Sequence, residues 1–90
     1  MTKENKIQFV QSLLDELATV GYLSSQRSKR DLINFIKDDL NAFIMPLNPL
    51  KYDVYINNAK VLVNSNFSDC GCILKVITEN LVFALSALYN

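Results

Sequence analysis

The chain has no histidine and no tryptophan, and only two glycines, two prolines and two cysteines among its 90 residues. Each scarcity narrows the possible chemistry. Without histidine no imidazole can act as a general base, pair with a cysteine nucleophile or help complete a zinc site. With Gly21 and Gly71 as the only glycines, no glycine-rich loop can cradle a phosphate. Two cysteines separated by one residue build no disulfide framework and point to a reducing compartment. An excess of one charge is missing too. Nine basic residues balance nine acidic ones, whereas a nucleic-acid binder usually carries a basic surplus. Long apolar runs are also interrupted. Asp15 and Glu16 break the one near the N-terminus, so no signal peptide is expected, and Lys75, Glu79 and Asn80 break the last one short of a membrane span. A cytoplasmic protein is the expectation, with no membrane partner, no cofactor and no metal.

What is present is mostly apolar. Half the chain is hydrophobic and 20% is charged, near the upper end for a soluble domain and far from the composition of a disordered tail. Ninety residues make one small domain, residues 1–90, with a single modest core. So short a chain leaves apolar surface uncovered, which predicts a homo-oligomer or a bound protein partner.

In the first half the apolar residues recur at helical spacing. Thr2 stands as an N-cap with Glu4 in the following turn, and Ile7, Val10, Leu14 and Leu17 follow, with Gly21 placed to end the helix. Ser28 and Asp31 resemble a capping box, and Leu32, Ile33, Ile36, Leu40, Phe43 and Ile44 give a second helix an apolar side that Pro46 stops. The short connection predicts an antiparallel helical hairpin. Arg27, Lys29 and Arg30 crowd the start of the second helix, where unpaired N–H groups already attract anions. They form the candidate anion or nucleic-acid site. A helix, a turn with a glycine and a second helix with a basic start resemble a helix-turn-helix motif, which implies that Ser24, Ser25, Gln26, Arg27, Ser28 and Arg30 would face DNA.

After Pro46 and Pro49 the period becomes two. Tyr52, Val54 and Ile56 alternate with Lys51, Asp53 and Tyr55, and Val61 and Val63 alternate with Lys60, Leu62 and Asn64. Asn57-Asn58 between the runs suits a type I′ turn, because asparagine tolerates positive φ. That turn would pair Ile56 with Ala59, Val54 with Val61 and Tyr52 with Val63, placing all six on one face. A β-hairpin is therefore expected, with open edges that need a third strand, a cover or a partner chain.

The last third holds both cysteines. Ser68 can cap a helix in which Ile73, Ile77, Leu81, Ala84, Leu85 and Leu88 form one stripe, with Lys75, Glu79 and Ser86 opposite. The β-branched residues within 70–77 also allow a strand followed by a helix, but the helical period persists over five turns. In a helix, Cys70 occupies the first turn, where the dipole favours the thiolate, and is the candidate reactive thiol, although free cysteines are more often buried structural residues, which is the expectation for Cys70 and Cys72. Asp69-Cys70-Gly71 ahead of a helix resembles the nucleophile motif of the Ulp/SENP-type cysteine proteases. In that family a glutamine six residues before the nucleophile serves the oxyanion hole; Asn64 stands there in this chain, and no histidine exists to pair with Cys70.

Together these features predict an α+β fold: an N-terminal antiparallel helical hairpin, a β-hairpin and a long C-terminal helix, in the order ααββα, or ααβββα if residues 70–77 form a strand. The expected function is a non-enzymatic macromolecular interaction module that self-associates through Tyr55, Leu62, Phe83 and Tyr89. An accessory or inhibitor protein of a mobile element has this size and composition. A nucleic-acid-binding role through Arg27, Lys29 and Arg30, and a thiol activity at Cys70, are the alternatives.

Overall fold

A computed structural model describes residues 2–19 and 25–90, except for the side chain of Gln26. The described residues form four helices: α1 (Lys3–Ala18), α2 (Gln26–Asn41), α3 (Lys51–Val63) and α4 (Cys70–Tyr89). None of them lies in a strand. The fold is all-α, and the expected α+β class, with its β-hairpin and optional third strand, is incorrect.

The correction centres on α3. Tyr52, Ile56, Ala59 and Val63 are buried, and their spacing of four, three and four is a helical stripe. Val54 and Val61, expected to share the inward face of a hairpin, are exposed instead. The expected hairpin face and the helical stripe coincide at Tyr52, Ile56, Ala59 and Val63, so the apolar pattern does not discriminate between them. The start of the helix does. The Leu50 N–H donates to Asp53 Oδ2 at 2.9 Å, the side-chain half of a capping box. Asn57-Asn58, read as a turn, lies in mid-helix, where Asn58 Nδ2 donates to Asn80 Oδ1 across to α4.

The other helices begin at identifiable caps. Thr2 Oγ1 accepts the Asn5 N–H at 3.1 Å. Ser25 rather than Ser28 caps α2, its Oγ accepting the Ser28 N–H, and Asp69 rather than Ser68 caps α4. The helix expected to run to Gly21 ends at Ala18, and Gly21 lies outside the described residues. The second ends at Asn41 rather than near Ile44.

Packing is organised by α4, which touches all three other helices, α3 most extensively and then α1. The two N-terminal helices meet only slightly, so the expected hairpin pairing between them is replaced by separate docking on the rest of the bundle. The Tyr55–Phe83 and Asn58–Asn80 contacts show that α3 and α4 run antiparallel. α1 lies against α4 with no close backbone approach to α3, while α2 packs on both α3 and α4. The core consists of Val10, Leu13 and Leu17 from α1, Leu32, Ile33, Ile36 and Leu40 from α2, the α3 stripe, and Cys70, Ile77, Leu81 and Ala84 from α4.

The cap at the start of α3 gives a direct check. Asp53→Ala should lower stability by about 1 kcal/mol, read as a lower urea midpoint, while Asp53→Asn keeps an acceptor and should lose less. Equal midpoints for wild type and Asp53→Ala would exclude this role for the buried carboxylate.

Candidate functional site

The fold brings together two features that are forty residues apart in sequence. The start of α2 lies against the start of α4. The Arg30 guanidinium sits over the Phe67 ring at 5.3 Å, and the Lys29 ammonium approaches so closely that a methyl group on Gly71 would lie 3.4 Å from it. Lys29 also helps to hold the Asp69 carboxyl low. Arg27 is exposed. Two of the three candidate anion-binding cations are thus engaged with the segment that opens α4. Of the residues implied by the helix-turn-helix resemblance, Ser24 and the Gln26 side chain lie outside the described residues.

The thiols there differ in accessibility and chemistry. Neither is in a disulfide. Cys70 is fully buried in the core, so a substrate cannot reach it without local opening. Cys72 is exposed but held by the cap residue. Asp69 Oδ1 accepts the Gly71 and Cys72 N–H groups at 2.9 and 3.2 Å, and the Cys72 thiol donates to Asp69 Oδ2 at 3.4 Å. Hydrogen bonds from the Cys72 backbone and thiol, then from the Gly71 backbone, push the Asp69 carboxyl below its ordinary value. The same contact works the other way on sulfur. The hydrogen bond to Asp69 and the negative charge beside it push the Cys72 thiol up. A helix start ordinarily favours thiolate; at Cys72 the capping carboxylate reverses that tendency.

A second region is the outer side of the α3–α4 pair. Tyr55 and Phe83 have ring centroids 5.5 Å apart, and the antiparallel register sets Leu62 level with Val76. Three of the four interface candidates therefore share one seam. Tyr89 is exposed but lies six residues beyond Phe83, about 120° round the helix. Phe83 is 51% exposed and Val61 60%, and Val54, Val76 and Val82 are exposed as well. These valines did not stand out as surface residues in the sequence. Val54 and Val61 become outward-facing only once residues 51–63 are read as a helix.

A groove of about 490 Å³ opens where the ends of α1 and α2 meet the linker before α3. Phe9, Phe43 and Tyr52 give it aromatic walls, with Lys6, Asp39 and Asp53 around them. The Lys6 ammonium lies 5.0 Å from the Tyr52 ring centre, and the Tyr52 hydroxyl is pushed up to about 12 by burial and then by the Asp53 charge. Its carboxylates are otherwise committed or exposed: Asp53 caps α3 and Asp39 faces solvent. Among the described residues no group of three or more His, Cys, Asp or Glu side chains could hold a metal ion.

No protein-family model matches the chain, and neither a curated protein nor a solved structure matches it. By length and composition α4 is long and apolar enough to cross a membrane, a test that the core helix of a soluble protein also passes.

Two measurements check this chemistry. Because Asp69 holds the Cys72 proton, Cys72 should react with an aromatic disulfide at pH 8 more slowly than cysteine in an unstructured peptide. Asp69→Asn should speed that reaction, and Cys72→Ser should remove it; a faster reaction in the wild type would contradict the geometry. The depressed Asp69 carboxyl also fixes a sign. Its capping contribution is present above the ordinary carboxylate value of 3.8 and is lost as pH falls through the lower folded value. Helical ellipticity should therefore decline more in the wild type than in Asp69→Asn as pH is lowered from about 5 to 2.

Proposed function

We propose that this chain is a non-enzymatic interaction module that works by self-association through the outer face of the α3–α4 pair. The observation that carries the reading is the exposure of a run of large apolar side chains on one side of the bundle: Val54 and Val61 of α3, then Val76 and Phe83 of α4 beside the partly buried Tyr55 and Leu62. Single exposed apolar residues are ordinary, but adjacent ones on neighbouring helices mark interaction surfaces. Few charges interrupt them. On α3, Asp53 is buried and the Lys60 ammonium donates to the Phe43 carbonyl at 2.7 Å, which leaves Lys51; α4 carries only Lys75 and Glu79. Tyrosine and phenylalanine are enriched at interface centres while charged residues are depleted there.

The chemistry at the α4 start supports a binding role over a catalytic one. The thiol at the nucleophile position of the protease-like motif is buried, its exposed neighbour is pushed up by the Asp69 carboxylate, and no histidine exists to activate either. Two cations of the basic cluster have partners in Asp69 and Phe67, although Arg30 stays exposed, which gives the nucleic-acid alternative less support than the sequence alone did.

Sedimentation equilibrium tests the reading. The wild type should show a concentration-dependent mass above that of the 10.2 kDa chain in the micromolar range. Phe83→Asp should keep its helical ellipticity and sediment as a monomer. A wild type that remains monomeric up to about 200 µM, an association free energy weaker than about −5 kcal/mol, would overturn the proposal.

A further inference from the structure

We infer that the occupant of the outer face is a second copy of the chain, packed so that α4 lies antiparallel on the partner's α4 across a two-fold axis, with Lys75 facing the partner's Glu79 and Glu79 facing the partner's Lys75. The inference rests on the self-association proposed above and specifies its geometry.

Charge singles out this occupant. Lys75 and Glu79 are the only charged residues of α4, both are exposed, and they stand one turn apart on its outer side. A two-fold interface brings the same patch to itself, so whatever it buries must complement itself. One cation and one anion a turn apart satisfy that condition in one orientation. Antiparallel helices with the axis level with Ile77 set each charge against its opposite, twice. A parallel arrangement in register sets Lys75 against Lys75 and Glu79 against Glu79, which repels. The same axis places Cys72 opposite the partner's Val82, a small thiol against a branched apolar side chain.

Size is consistent with this occupant. Helices of 13 and 20 residues give a face roughly 20–30 Å long, and two helices side by side make it about 20 Å wide. Its projected area of roughly 500 Å², increased by side-chain relief, approaches the ~800 Å² per partner of a standard interface. That is about one seventh of the 5837 Å² surface of the chain. A lipid surface fits less well. Lys75 and Glu79 occupy the outermost ridge of the middle of α4, so insertion would strip both of water with only each other, one turn apart, to compensate, whereas a second copy supplies a further opposite charge for each.

Charge exchange tests the pairing. Lys75→Glu and Glu79→Lys, each alone, convert both attractions into repulsions and should weaken dimerisation about tenfold or more, with unchanged helical ellipticity. An equimolar mixture of the two variants restores opposite charges at both contacts. It should form a heterodimer with a Kd within about threefold of the wild type. The chain carrying both substitutions should recover as a homodimer. If the single variants dimerise as the wild type does while Phe83→Asp does not, the antiparallel pairing is wrong and the self-association reading stands. If no form of the chain dimerises, both fail. Binding of the wild type to neutral phosphatidylcholine vesicles in place of dimerisation would assign the face to lipid and overturn the inference.

Discussion

Everything in this fold depends on covering α4. It is the most apolar helix of the chain, and Cys70, Ile77, Leu81 and Ala84 lie on its innermost side with no exposure. Full burial of a Leu or Ile side chain contributes about 1.5–3 kcal/mol, so the other helices arrange themselves to cover that stripe. α3 returns along one flank through the short turn at residues 64–69, α1 takes the other flank, and α2 lies across α3 and α4. Three helices close three sides. The fourth side carries Val76, Val82 and Phe83 beside Lys75, Glu79 and Ser86. The exposed apolar face and the core thus follow from one cause: α4 is apolar around more of its circumference than three short neighbours can enclose.

The same economy of elements explains the start of α2. Basic residues at a helix N-terminus oppose the macrodipole, and α2 has no acidic residue in its first turn to offset them. The compensation comes from another helix. Asp69, which caps α4, sits close enough to Lys29 for their charges to be coupled, and the Phe67 ring lies under the Arg30 guanidinium, an attraction of about 0.5–1 kcal/mol at an exposed site. The anion that this basic cluster would be expected to attract is partly supplied by the chain itself. Two members of that cluster, Lys29 and Arg30, thus also link the beginnings of two helices.

Much of the architecture was legible in the residues, and the exception is instructive. The stripes Val10–Leu17, Leu32–Leu40 and Ile77–Ala84 have no competing period. In residues 51–63, Tyr52, Ile56, Ala59 and Val63 satisfy both a hairpin and a helix, and Asn57-Asn58 favours the hairpin because asparagine suits a turn. The discriminating signals were Pro49, which suits the non-helical lead-in, and Asp53 three residues after Leu50, where a carboxylate can reach back to an orphan N–H. Ala59 suits a helix interior, where it loses no side-chain entropy, better than a strand, where it offers little side chain to pack. For the candidate site, the helical placement of Cys70 and its burial were both legible, because free cysteines are among the most often buried residues, whereas the exposure of Cys72 was not. The Lys29–Asp69 approach could not be read from spacing at all.

The α3 correction also changes why association is expected. A β-hairpin would have offered open edges, with partner choice set by backbone hydrogen bonding and little constraint from side chains. A pair of helices has its backbone groups satisfied internally, so any partner must be recognised by side-chain shape and charge. On the outer face that information is sparse: a ridge of one cation and one anion flanked by valines and by the Tyr55–Phe83 pair. Such a surface gains affinity from apolar burial and orientation from its two charges, because like charges brought together cost more than opposite ones gain in a partly desolvated setting. In the proposed dimer the apolar residues leave many docking angles open, and Lys75 and Glu79 would select among them.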